Sequence, residues 1–165
     1  MMTEAAQSIV IRPADVRDAD AIGHVHYYSW IETYTDYFSD DVMRGRSLER
    51  SVEMAKTVHA HSFVAVVDQR VVAFATYGPS RDEDLPDAAE IRAVYVLEPF
   101  QGRGIGKRLM SACYEALSCR DPFIVWVLEL NKKTVDFYSA QGFVKDGRKK
   151  TLYERTIIRM VKKAE

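Results

Sequence analysis

The spacing of apolar residues changes several times along this chain, and each change predicts an element. Ser8 to Arg12 reads as a short strand and is stopped by Pro13, which has no N–H for a ladder. Asp15 or Asp18 can cap a helix running through Ala21, Ile22 and Val25. Tyr27, Trp30, Ile31, Tyr34 and Phe38 extend one helical face. A second helix is expected over Ser47 to Val58, with Leu48, Val52 and Ala55 inward. The β-rich runs Phe63 to Val67 and Val71 to Tyr77 flank Asp68-Gln69-Arg70, a hairpin by length and turn chemistry. An acidic connection from Pro79 to Asp87 leads to a strand over Glu90 to Leu97, ended by Pro99.

The second half reads as clearly. Gly102 to Leu117 predicts a helix through Ile105, Leu109, Ala112 and Ala116. Phe123 to Leu128 is continuously apolar, as in a strand buried on both faces. Asn131 to Ala140 is a short helix closed by Gly142. Phe143 to Lys145 and Thr151 to Lys162 are expected to pair around Asp146-Gly147. The order β–α–α–β–β–β–α–β–α–β–β predicts one α/β (α+β) domain over residues 1–165, with its core at about 8–162 and a mixed sheet.

Composition narrows the class. The 165 residues are 47% hydrophobic and 28% charged, enough to bury a core without disulfide staples. A net charge of -1 speaks against life on the phosphate field of nucleic acid. The longest apolar run, Phe123 to Leu128, is far short of the ~20 residues of a membrane span. Met1 to Val10 holds no Lys or Arg and no apolar h-region, so no signal peptide is expected. Cys113 and Cys119 point to different helix faces and cannot pair across it. These features predict a reduced, cytoplasmic protein.

The segment that carries chemistry runs from Val94 to Leu109. A strand feeds a glycine-rich turn that opens into a helix. Glycines let the backbone approach a ligand, and first-turn N–H groups have no helical partner. With the helix dipole, those donors suit a phosphate or pyrophosphate. Arg103, Lys107 and Arg108 add positive charge at a helix end that gains nothing from it. A Walker A loop fails twice: Gln101 stands where its first glycine belongs, and Arg108 follows Lys107 instead of Ser or Thr. The Rossmann fingerprint fails at Lys107, where its third glycine belongs. Gln101-x-x-Gly104-x-Gly106 fits the pyrophosphate loop of acetyl-CoA-dependent transferases.

With Glu90 to Val96 before it and Asn131…Phe137-Tyr138…Gly142-Phe143 after it, the chain resembles the GNAT-type N-acetyltransferases over nearly its whole length. The resemblance implies a mixed sheet of about six to seven strands, flanked by helices and splayed where acetyl-CoA binds. It places Val94 and Val96 beside the pantetheine arm, with a bulge there freeing an N–H for the thioester oxygen. Gln101, Gly102, Arg103, Gly104, Gly106 and Lys107 would hold the pyrophosphate, and Asn131 the coenzyme arm. Glu90, eleven residues before Gln101, matches the base position, acting through water, and Tyr138 the general acid. Deprotonating a lysine-like amine at pH 7 costs about 4.6 kcal/mol, which the base must help supply.

Plainer readings stand beside these. Glu90 could pair with Arg92, Tyr138 could be packing, and Tyr95 is core by default because its parity opposes Glu90. Tyr28 and Tyr37 lie off the aromatic stripe and are the aromatic candidates for touching substrate. His24 and His26 diverge by about 200° round a helix, and His59 and His61 lack a third ligand, so no metal is expected. Asp82, Glu83 and Asp84 form an acidic patch suited to a cationic, polyamine-like acceptor. The basic residues from Arg148 to Lys163 read as a charged hairpin surface. The expected reaction is direct acetyl transfer to a small amine. The alternatives are a protein lysine or N-terminal acetyltransferase and a non-catalytic acyl-CoA sensor. The expected partners are that acceptor and, at most, a second copy of the chain.

Overall fold

The computed structural model describes residues 7–164, so most of the Met1–Val10 stretch read for a signal peptide lies outside the described residues. Strands β1 (Ile9–Pro13), β2 (Ser62–Val67), β3 (Arg70–Pro79), β4 (Ala89–Val96), β5 (Phe123–Leu128), β6 (Val144–Leu152) and β7 (Arg155–Lys162) build one mixed, open sheet. Its order is β1-β2-β3-β4-β5-β7-β6. The β4–β5 pair is parallel, and the other neighbours are antiparallel.

Helices α1 (Ala19–Tyr34), α2 (Asp40–Arg44) and α3 (Leu48–Val58) precede β2, and α4 (Ile105–Ala116) and α5 (Lys132–Ala140) flank β5. Ile105, Leu109 and Val135 pack on Ala75, Ile91 and Val125, while Ile22, Val25 and Ala55 pack on Val64 and Phe74. The sheet thus carries helices on both faces. A capping box starts this helical half: Asp15 accepts from Arg17 N–H, and the Asp18 carboxylate accepts from Asp15 N–H. Gly23 lets α1 close on α3, since a Cβ there would stand 2.5 Å from Val52.

Three expectations need correction. The aromatic helix ends at Tyr34, and Phe38 follows in a turn, although its ring still stacks on Trp30 at 5.6 Å. The glycine turn stays outside its helix, which starts at Ile105. The last hairpin turns at Tyr153-Glu154, while Asp146-Gly147 forms an irregularity within β6, where pairing jumps from Lys145↔Met160 to Lys149↔Ile158.

Two features of the sheet position the site. Pairing of β4 with β5 stops at Ile91↔Val125, although both strands run on, so the sheet splays open beyond that point. On its other edge β4 carries a bulge at Arg92, because Thr76 faces Ala93 while Tyr77 faces Ile91. The extra residue reverses the side-chain alternation and brings Tyr95 to the same face as Glu90.

The acidic connection is folded into the C-terminal hairpin. Arg159, with a side chain 4% exposed, bridges Asp82, Asp84 and Asp146 at 3.1, 2.8 and 2.7 Å. Lys150 joins Asp82 at 2.8 Å and Arg148 joins Asp84 at 3.2 Å. Hydrogen bonds from Arg159 hold the Asp84 carboxyl down at about 2. Burial pushes Asp82 up, yet hydrogen bonds from Lys150, Arg159 and Trp126 outweigh it and leave its pKa lowered. Depressed carboxyl groups stabilise the fold above their unfolded pKa of ~3.9 and lose that contribution as pH falls through the folded value. Urea midpoints measured across pH are therefore expected to drop between about pH 4 and 2. Asp84→Asn should remove part of that drop, and a midpoint flat across the window would contradict this role.

Candidate active site

The glycine turn is built for a close approach. Gly102 and Gly104 take φ of 76° and 77°, and a Cβ on either would meet nothing within 4 Å. Left-handed backbone, not crowding, therefore demands glycine at both positions. The main-chain N–H groups from Gly102 to Lys107 have no acceptor among the described residues, while Gln101 N–H bonds back to Glu98. These donors and the start of α4 make a concave anion cradle. Gln101 pins the cradle to the strand, its Nε2 donating to Val96 O at 2.9 Å while its Oε1 accepts from Lys133 Nζ at 2.8 Å. A Cβ on Gly106 would stand 3.2 Å from Phe137, so glycine there lets α4 lie against α5.

From the cradle a cavity of about 790 Å³ runs into the gap between β4 and β5, bounded by α1 and α5. The Val96 carbonyl accepts from Gln101 and so points away from β3, whereas Leu97 N–H bonds to β3 at Val72. By alternation the main-chain groups of Val94 face the gap as well. Asn131 caps α5 with its Oδ1, accepting from Thr134 N–H at 3.2 Å. Its Nδ2 donates to no protein group among the described residues.

Deeper in, Tyr138 is 6% exposed and its ring packs on Phe143 at 5.5 Å. Burial, then the neighbouring Tyr34, Tyr114 and Cys113, raise its phenol pKa, so the hydroxyl keeps its proton through neutral pH. Tyr34 and Tyr95 reach the same cavity, and burial raises the pKa of both phenols.

The structure brings Val94, Val96, Gln101, Gly102, Gly104, Gly106, Lys107, Asn131, Tyr138 and Tyr37 to this one cavity. Arg103 is a correction. It turns outward, donating to Gln7 Oε1 at 2.7 Å with its guanidinium over Phe100. Tyr28 is a second, 45% exposed and packed on His24 and Tyr27 away from the cavity. Asp82 and Asp84 are spent on the cations of β6 and β7, and Glu83 does not line the cavity. Arg148, Lys150 and Arg159 of the basic hairpin are their counter-ions and more than a solvated surface.

Glu90 is also placed otherwise than expected. It is 3% exposed and lies off the cavity wall, with Arg81 donating to both oxygens at 2.6 and 3.2 Å. Arg81, reaching across the loop, takes the place beside Glu90 that the spacing gave to Arg92, which bonds to Pro79 O instead. Sequence reading also missed Glu32, Trp126 and Lys133. Lys133 alone left a signal, lying two positions after Asn131 at the start of the helix facing the cradle. Among the described residues no group of three or more His, Cys, Asp or Glu side chains gathers to hold a metal. No helix among them is long and apolar enough to cross a membrane.

A cleft lined by backbone donors and lysines at one end and phenols at the other describes a transferase that draws on a phosphate-bearing carrier. The chain belongs to the acetyltransferase (GNAT) family, whose model matches residues 22–143, and is accordingly an acyltransferase. It is similar to YuaI, an uncharacterised N-acetyltransferase of Bacillus subtilis (strain 168). The two are 29% identical over 136 residues, 80% of this chain and 78% of that protein. The PaiA N-acetyltransferase of Thermoplasma acidophilum, solved with coenzyme A, shares the fold with a TM-score of 0.79 at 20% identity, over 95% of this chain and 99% of that one. YncA of Salmonella typhimurium, solved with acetyl-CoA, gives 0.73 at 17% identity, over 96% and 95%.

Proposed function

We propose that the protein moves an acetyl group from acetyl-CoA directly to a primary amine of a small acceptor. The observation that carries this reading is the continuity of one cavity from the anion cradle to the Tyr138 hydroxyl. Acetyl-CoA laid along it presents its pyrophosphate to the donors of Gly102 to Lys107. Its arm then runs along Val94 and Val96, and its thioester sits where the sheet splays. The amine loses one proton to solvent, its nitrogen forms a bond to the acetyl carbon, the C–S bond breaks as Tyr138 protonates the departing sulfur, and the proton shed by the nitrogen as the amide forms restores the Tyr138 hydroxyl. Neither cysteine serves as a relay: neither lines the cavity, and burial pushes Cys113 up to about 12.

The acceptor arrives protonated, and Glu32 on the α1 wall is the carboxylate at that end of the cavity free to attract it. A polyamine-like acceptor drew its support from Asp82 and Asp84, whose charges are already paired. Acetyl-CoA-dependent thiol release, scored over polyamines, aminated metabolites and lysine or N-terminal peptides, tests the reaction. Turnover of an amine with a matching gain in product mass supports it. Acetyl-CoA binding with no amine turned over would favour a sensor.

Glu90→Gln separates two roles for that residue. Its placement behind Arg81 predicts a stability loss of about 1–2 kcal/mol and an unchanged shape of the pH–rate profile. Activity lost at neutral pH and recovered at high pH would instead make Glu90 a base acting through water.

A further inference from the structure

The charges around the acceptor end are sorted with little left over. Asp82, Asp84 and Asp146 belong to Arg159, Lys150 and Arg148, and Glu90 belongs to Arg81. Two charged side chains on that part of the cavity wall have no ion-pair partner among the described residues. They are Glu32 on α1 and Arg92 at the β4 bulge, of opposite sign and on different walls.

Arg92 is held in place without a carboxylate. Its Nη2 donates to Pro79 O at 2.9 Å. Its guanidinium lies over Gly78, where a Cβ would stand 2.7 Å from Nη2 and push the side chain aside. Partial burial, then the like charge of Arg81, work against the charge on Arg92 and lower its pKa. A cation so held, with donors left over on the wall of a ligand cavity, suits an anion.

Resting on the reading as an N-acetyltransferase, we propose that the acceptor is an amino-acid-like zwitterion whose carboxylate binds Arg92. Glu32 meets its ammonium group on arrival. Arg92 thereby fixes specificity: it holds the acceptor's acidic end, which leaves the amine to reach the thioester at the splay. A polyamine offers nothing to Arg92 and sets positive charge against it.

The test compares acceptors that differ only by the carboxylate: L-lysine with cadaverine, L-phenylalanine with phenethylamine, and β-alanine with ethylamine. For the pair turned over best, kcat/KM is expected to be roughly 30-fold higher with the carboxylate, as for one charge-assisted interaction. Arg92→Gln should collapse that ratio towards one, acting through KM for the acceptor. Preference for the decarboxylated member or for polyamines would overturn the inference and leave the acetyltransferase reading intact. A ratio unmoved by Arg92→Gln would overturn the role of Arg92. Acetyl-CoA binding without turnover of any amine would overturn the acetyltransferase reading and this inference with it. The wild-type comparison needs no variant, so a misfolded Arg92→Gln protein would not shield the idea.

Discussion

Tyr138→Phe is expected to lower kcat roughly 100-fold and to leave KM for acetyl-CoA within about twofold. The substitution keeps the ring that packs on Phe137 and Phe143 and removes only the hydroxyl facing the cavity. Burial raises the phenol pKa, so a proton is present whenever the thiolate departs. General acid catalysis of this kind contributes ~10²–10⁴-fold, and the lower end suits a leaving thiolate that is itself fairly stable. Because the hydroxyl helps the leaving group and not the bound coenzyme, the loss belongs in kcat. Steady-state kinetics beside a thermal melt separate that from unfolding. A variant with wild-type kcat would show that solvent protonates the thiolate and would reduce Tyr138 to packing.

The parts of this site legible in the sequence are those fixed by local chemistry. Gly102, Gly104 and Gly106 stand out because backbone geometry and helix packing restrict what may replace them, and Asn131 because it caps a helix four residues after β5 ends. Strands β1 to β5 were readable because each run is short, largely apolar and bounded by turn residues, whereas β6 is polar and exposed along its whole length and shows only its first residues in the pattern. What failed depends on tertiary context. Asp146-Gly147 has turn chemistry, and Gly147 does take φ of 89°, but the chain spends it on an irregularity in β6. The true turn uses Tyr153 at φ 53°, a residue that carries no turn signal. The acidic patch likewise looked free for a cationic acceptor because Lys150 and Arg159 lie 68 and 77 positions from Asp82. The bulge at Arg92, which settles the facing of Tyr95, follows from pairing with β3 and leaves no mark within β4 itself.

Arg159→Met is expected to cost about 3–5 kcal/mol of stability, the largest loss of any single substitution considered for this fold. The methionine fills much of the same volume, so the cost comes from charge and not from a cavity. Three carboxylates now share Arg159, and Asp82, with a side chain only 6% exposed, would keep Lys150 alone as its cation. A buried carboxylate stripped of a partner costs far more than an exposed pair is worth. For a chain of this length the loss corresponds to a fall in Tm of roughly 10–15 °C. The consequence reaches the acceptor site by one further contact. Asp82 accepts from Trp126 Nε1 at 2.9 Å, and Trp126 lines the cavity beneath Lys150, whose ammonium sits 4.0 Å from the indole centroid. Loosening Asp82 therefore frees the indole that walls the acceptor end, while the cradle from Gly102 to Lys107 lies on other elements. KM for the acceptor should rise severalfold with acetyl-CoA binding little changed, measured below the lowered Tm. Equal losses for both substrates would mean that the network supports the sheet as a whole, and wild-type stability would mean that the three aspartates find water as good a partner as Arg159.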